Sequence, residues 1–304
     1  MKKVALVVDN SAAMTEEELK KLNVAAVVPI SFIINGEEYL EGVNMTYSQY
    51  YSFLEDKTAN VSTSQPSIAA VEDCWREILK QYDQIIYVIL SSGLSAACNS
   101  AINASHGEEF EGKVFVANNQ RVSYMNKLAM YEAAYLIEQG KTAQEIKEYL
   151  EETRGECGAY IAVDTLKYLK KGGRITPAAA AIGTLLNIKP ILQVHGGKLD
   201  AFAKVMAMKQ AKSKIIAATR KEAEERFAEE IKQGKVYISI AHTNPDLNAA
   251  ELEEFKKEVV AAFPDMPFFK MDPLPLFVAC HTGPKALAVG FAVDRLGVVE
   301  KYCK

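Results

Sequence analysis

Three short polar clusters in this chain have the residue types that hold an anion: Thr63-Ser64-Gln65-Pro66-Ser67, Ser91-Ser92-Gly93-Leu94-Ser95 and His281-Thr282-Gly283-Pro284. A fourth, Lys170-Lys171-Gly172-Gly173-Arg174, sets cations around a glycine pair. Hydroxyls just ahead of a helix either satisfy its orphan amides or stay free to donate to a ligand beside them. On spacing alone, capping by Ser64 or Ser67 and by Ser92 or Ser95 is the simpler use. The alternative is that Thr63 and Ser95 turn their hydroxyls to a carboxylate. His281, read as following a strand, precedes an irregular Thr-Gly-Pro turn that would present its imidazole where the charge balances an anion. Arg174 either grips carboxylate or phosphate bidentately or belongs to a solvated charge run with Lys167, Lys170 and Lys171.

Other chemistries have less behind them. Gly93-Leu94-Ser95-Ala96-Ala97 lies one residue away from the G-x-S-x-G nucleophile elbow, so a serine hydrolase using Ser95, then Asp164 or Asp272, then His281 is the rival reading. Neither a dinucleotide fingerprint nor a P-loop occurs, so no nucleotide cofactor is expected. His106, His195, His242 and His281 lack metal-ligand spacing, so no metal is expected either, and His242 reads as structural. Thirty-five Lys plus Arg against 39 Asp plus Glu, net charge -4, leaves no basic stretch fit for a phosphate backbone, which excludes nucleic acid as an expected partner. Apolar runs such as Ile85 to Leu90 fall far short of the roughly 18 to 20 residues that cross a bilayer, so no transmembrane segment is expected. The run Ala5 to Val8 is broken by Asp9-Asn10 well before a secretory length. Cys74, Cys98, Cys157, Cys280 and Cys303 are odd in number and scattered, which suits a reducing cytoplasm.

The elements that must position these clusters read as βα repeats. Strands are expected at Val4 to Val8, Gln84 to Leu90, Val114 to Ala117, Ala159 to Val163, Val236 to Ala241 and Phe277 to Cys280. Helices are expected from Thr15, whose Glu18 completes a capping box, and at Tyr47 to Leu54, Ser67 to Gln81, Ser95 to Glu108, Tyr124 to Gln139, Thr142 to Glu151, Met208 to Ile231 and Leu247 to Phe263. Asn35-Gly36 and Gly196-Gly197 each mark a β-hairpin. With 304 residues, two domains are expected, divided within the stretch Gly155 to Thr184, which leads into Gly172-Gly173 and the alanines Ala178 to Ala181: residues 1–160 and 161–304. The fold class is two α/β domains, the first a mostly parallel sheet with helices on both faces, the second a smaller mixed sheet with helices.

At these residues the chain resembles the DegV family of bacterial fatty-acid-binding proteins, which includes the lipid-carrying subunits of fatty acid kinase. The resemblance rests on Val8-Asp9-Asn10-Ser11, the Thr63 and Ser91 clusters, Asp164-Thr165-Leu166 through Arg174-Ile175, Lys189-Pro190-Ile191-Leu192 and the His281 cluster, in family order over nearly the whole chain. It implies one long-chain fatty acid as ligand, with its tail enclosed by the first domain. The second domain would close over the carboxylate, held by the residues matching Thr63, Ser95 and His281. Arg174, Ser64 and Ser92 then lie at the rim or serve phosphotransfer by an ATP-dependent kinase partner, and this chain itself is not the enzyme. The chain departs from the family at Ala96-Ala97, where Gly-Thr is usual, and at Val8-Asp9-Asn10, where Thr-Asp-Ser is usual. Met206 stands where kinase-linked members carry arginine.

Overall fold

A computed structural model describes residues 3–303 apart from 57, 178–187, 196–197 and 244–248. The alanine run at the expected boundary, the Gly196-Gly197 turn and Leu247 lie outside the described residues. Two compact units divide the chain: Met1–Ile30, Ser64–Gly155 and Leu296–Lys304 form the first, Ser31–Thr63 and Glu156–Arg295 the second.

Strands are numbered along the chain. The first unit is built on a parallel sheet in the order β2-β1-β6-β7, from Val24–Val28 (β2), Val4–Asp9 (β1), Gln84–Val88 (β6) and Val114–Ala117 (β7). β1 and β6 are buried along their whole length, which is why they read as unbroken apolar runs. The capping box of Thr15 and Glu18 forms as spaced, with both reciprocal bonds present.

The second unit contains a mixed six-stranded sheet in the order β10-β9-β8-β13-β11-β12. Its strands are Cys157–Ala162 (β8), Lys189–His195 (β9), Lys198–Val205 (β10), Val236–His242 (β11), Phe268–Pro273 (β12) and Leu287–Val293 (β13). Only β11 and β12 pair in parallel. A three-stranded sheet, β4-β3-β5, comprises Ser31–Ile34 (β3), Glu37–Tyr39 (β4) and Val61–Ser64 (β5). The Asn35-Gly36 turn has the two positive φ angles, 53° and 93°, that a tight hairpin asks for.

Three expectations need correction. The mixed sheet is the larger one, because β12 and β13 join it; Gly290 interrupts the apolar residues of β13, which is buried along its whole length. The units are not contiguous at 160/161: residues 31–63 belong to the second unit, because Phe32, Ile34, Tyr50 and Tyr51 complete their burial against Leu276, Ala279 and Cys280. Phe277 to Cys280 is helical, part of Leu276–Thr282, since a four-residue apolar run has no periodicity long enough to separate a buried strand from a buried helix.

Candidate functional site

His281 therefore sits in the last turn of a short helix in the second unit. Leu276, Ala279 and Cys280 share one helical face, which packs into the aromatic core of residues 31–63. Nε2 of His281 lies 3.1 Å from Oγ1 of Thr63, brought in on β5. Nδ1 is buried and has no hydrogen-bond partner among the described residues. The imidazole packs directly on Gly172. A Cβ on Gly172 would come within 2.0 Å of Nδ1, so any other residue there would displace the ring. Behind it Gly283, at φ +83°, lets the Tyr168 ring pack where a Cβ would stand 2.6 Å away. Tyr168 donates its hydroxyl to the Leu54 carbonyl at 3.2 Å.

The electrostatics of this cluster are one-sided. Burial, and after it the positive charge of Arg174, hold the His281 pKa down at about 4, so the ring is neutral at pH 7. Arg174 folds back so that Nη1 donates to the Gly172 carbonyl. Lys171 donates from Nζ to Asn60 Oδ1 at 2.9 Å and to the Val61 carbonyl at 3.2 Å, fixing the start of the strand that carries Thr63. A hydroxyl and a buried, neutral imidazole thus lie 3.1 Å apart within the positive field of Arg174, a setting in which an added negative charge is favoured.

Ser95 belongs to the first unit. The amides of Leu94 and Ser95 both donate to the Ser91 carbonyl at 3.1 Å, closing a tight turn. Ser95 Oγ accepts from the Ala97 N–H at 3.2 Å, the first residue of helix Ala97–Ser105, and that bond leaves the hydroxyl proton to donate elsewhere. The turn is anchored by Asp9 at the end of β1. Oδ1 of Asp9 accepts from the amide and hydroxyl of Ser11 at 3.0 and 2.5 Å, and Oδ2 from the Leu90 amide at 2.7 Å. Burial still pushes the Asp9 carboxyl up to about 6. Ser11 Oγ accepts from Asn126 at 2.8 Å, and the Ser91 amide donates to the Arg121 carbonyl at 3.1 Å. Arg121 and Glu132, each 1% exposed, are ion-paired at 2.9 Å.

Of the residues singled out in sequence, Thr63, His281 and Arg174 come together in the second unit. Ser64, Ser92 and Ser95 belong to the first. Ser64 donates to the neighbouring Gln65 carbonyl at 3.2 Å, and Ser67 is the residue that caps helix Ile68–Leu79, accepting from Ala70. Ser92 is half-buried in the serine turn. Met206 is 66% exposed after β10. For the hydrolase reading, Asp164 is ion-paired to Lys189 at 2.5 Å and Ser95 is engaged with its own helix. Sequence reasoning missed the roles of Glu41, Gly172, Lys171 and Tyr168; a helix that opens at Pro275, which has no side chain to cap it, is the one signal that a distant partner was needed. Among the described residues no group of three or more His, Cys, Asp or Glu is placed to hold a metal, and no helix is long and apolar enough to cross a membrane.

A family profile described as "Uncharacterised protein, DegV family" matches residues 3–294. The chain belongs to the DegV family. A DegV domain-containing protein of Deinococcus radiodurans is 31% identical over 295 residues, 96% of this chain and 99% of the relative. Among solved structures, a fatty-acid-binding DegV family protein of Thermus thermophilus superposes with a TM-score of 0.81 at 28% identity, covering 96% of this chain and 99% of that one. The fatty acid binding protein DegV of Bacillus subtilis gives 0.79 at 26% identity, covering 97% and 100%. The DegV fold thus extends over nearly the whole chain, in agreement with the two α/β units described above.

Proposed function

We propose that this chain is a cytoplasmic protein that binds one long-chain fatty acid and offers its carboxylate to an ATP-dependent kinase. The observation that carries the reading is the Thr63–His281 pair, with Nδ1 buried and without a hydrogen-bond partner among the described residues and Arg174 as the neighbouring charge. Thr63 donates to the carboxylate, His281, neutral at pH 7, lines the carboxylate site and orients the Thr63 hydroxyl, Arg174 supplies the positive field, and Ser95 is carried in the proposal as a further hydroxyl donor. Burying about sixteen carbons at about 0.8 kcal/mol each gives roughly 12 kcal/mol gross, so the tail supplies affinity and the polar groups set orientation. The binding of fatty acids by the Thermus and Bacillus relatives supports the same class of ligand.

The deciding experiment is mass spectrometry of solvent extracts from the purified chain, joined to titration with oleate. The expected result is a stoichiometric long-chain acid, retained poorly by Thr63→Ala and His281→Ala. A folded chain that yields no acid and does not bind oleate ends the reading. Kinase presentation is tested separately, by acyl phosphate formed with a fatty acid kinase subunit and ATP. Phosphoryl transfer needs cations near the phosphoryl oxygens, so Met206→Arg should raise that rate with little change in oleate affinity. A wild-type rate equal to that of a relative carrying arginine would show that Met206 is no handicap. A fluorophosphonate probe should leave Ser95 unlabelled.

A further inference from the structure

We infer that Glu41 is a positioning residue for His281, acting through the helix Leu276–Thr282 that carries the imidazole; the inference rests on the carboxylate-binding role proposed above for His281. Pro275 occupies the N-cap of this helix and has no side chain to accept from its amides. The amides of Val278 and Ala279 turn back to the Pro275 carbonyl, both at 2.9 Å. The Leu276 amide takes a partner 235 residues earlier in the chain, Oε2 of Glu41, at 2.8 Å. Oε1 of Glu41 in turn accepts the Tyr47 hydroxyl. One carboxylate therefore ties the first helical residue to the helix Tyr47–Glu55, which opens with its own capping box at Thr46 and Gln49.

Rigid transmission over this distance is short. Leu276 and His281 are separated by five residues, about 7.5 Å along a helix at 1.5 Å each. Leu276, Ala279 and Cys280 lock the intervening turn into the aromatic core. A loss of the Glu41 bond loosens the end of a helix only seven residues long, and the ring then leaves the narrow slot over Gly172 opposite Thr63. Glu41 itself sits in a tight loop after the hairpin, where the Leu40 amide donates to Asn44 and Gly42 has a φ of 74°, so its own position is well defined. Burial raises its carboxyl pKa, while the Tyr47 and Leu276 bonds hold it down.

The test uses the full chain with Glu41→Ala, Glu41→Gln, His281→Ala and the Glu41→Ala/His281→Ala double variant. Without ligand, Glu41→Ala should shift or broaden the His281 ring resonances and speed amide exchange at Leu276, while Glu41→Gln, which keeps an acceptor for that amide, should restore both. With oleate as the probe, Glu41→Ala should weaken binding roughly tenfold, the ratio expected for one lost charge-assisted bond. The double variant should then be no weaker than His281→Ala alone, because the two residues act as one unit. Unchanged ring resonances in Glu41→Ala, or effects on affinity that multiply, overturn the inference. If His281→Ala binds oleate as wild type does, the carboxylate role of His281 fails, and the ligand-free resonances still decide whether Glu41 positions the ring. Glu41→Leu, which fills the same space without an acceptor, replaces the alanine variant if that one does not fold.

Discussion

The two units hold their candidate hydroxyls in different ways. In the first, the turn of Ser95 is fastened by a buried polar network in which Asp9 takes three donors and Arg121 is paired with Glu132. In the second, Thr63 and His281 rest on packing: glycine under the ring, an aromatic core behind the helix, and one ring nitrogen with no partner among the described residues. A dense network of buried polar bonds fixes a backbone. An imidazole left unsatisfied in a positive field gains energy when an anion arrives. The first arrangement suits a scaffold and the second suits recognition.

The largest effect that separates them should come from the buried ion pair. Removing one partner of such a pair strands the other charge, at about 3–5 kcal/mol. Glu132→Leu should therefore lower the stability of the first unit by about that much in denaturant unfolding, while the His281 ring resonances stay where they are. A cost under about 1 kcal/mol would mean that the network contributes little to the scaffold.

Protonation gives a second contrast, with opposite signs. His281 is depressed from 6.5 to about 4, so as pH falls through this window the unfolded chain takes up the proton first and stability is lost. Asp9 is raised from 3.8 to about 6, so its contribution to stability is fully present below 3.8 and is lost as pH rises through 6. Each shift of two or more units corresponds to roughly 3 kcal/mol across its window. The slopes nearly cancel in the wild type between pH 4 and 6. His281→Gln removes one of them, so between pH 7 and pH 4.5 it should gain stability relative to the wild type by about 2–3 kcal/mol. An imidazole that titrates near 6.5 in the ligand-free protein would falsify the claim that the ring is buried under a cation.

Gly172→Ala probes the second unit at its tightest contact. The added methyl would stand 2.0 Å from Nδ1, so the ring has to move. Overpacking of this kind costs about 1–3 kcal/mol, and the displaced ring should lose its Thr63 partner. Oleate affinity should fall as in His281→Ala, with the first unit unaffected. Binding equal to wild type would show that the ring has room the structure does not give it.

How far such contrasts were legible in sequence depended on the range of the interactions. The Thr15 capping box, the Asn35-Gly36 hairpin and the runs of β1 and β7 are set by neighbours along the chain, and they form where spacing placed them. The meeting of Thr63 with His281 spans 218 residues; residue types put both among the anion-binding candidates, but only the family resemblance assigned them to one carboxylate. Glu41 could not be picked out because its partner is a backbone amide, which carries no residue signature; Pro275 marks only that the helix start lacks a side-chain cap. Phe277 to Cys280 misled because the sheet strands β8, β11 and β13 have the same apolar, buried composition. The assignment of residues 31–63 to the second unit depends on packing of their aromatic side chains against Leu276, Ala279 and Cys280, more than two hundred residues away and beyond the reach of any local pattern.

Ser95→Ala should have the smallest effect and draws the comparison most finely. Its Oγ already accepts from Ala97, so the variant loses a helix-start bond worth about 0.5–1 kcal/mol of stability, near the low end for caps because the amide can turn to water. If the hydroxyl proton also goes to the carboxylate of a bound acid, oleate affinity falls in addition, by the tenfold or so that one hydrogen bond to a charged group represents. Thr63→Ala provides the reference, since Thr63 Oγ1 has the His281 ring as partner and no cap to maintain. Stability loss without affinity loss at Ser95, beside affinity loss without stability loss at Thr63, would assign recognition to the second unit and leave the serine turn as scaffold. Equal affinity losses in the two variants would make both hydroxyls ligand donors, with the first unit contributing to recognition through a turn that its buried network holds still.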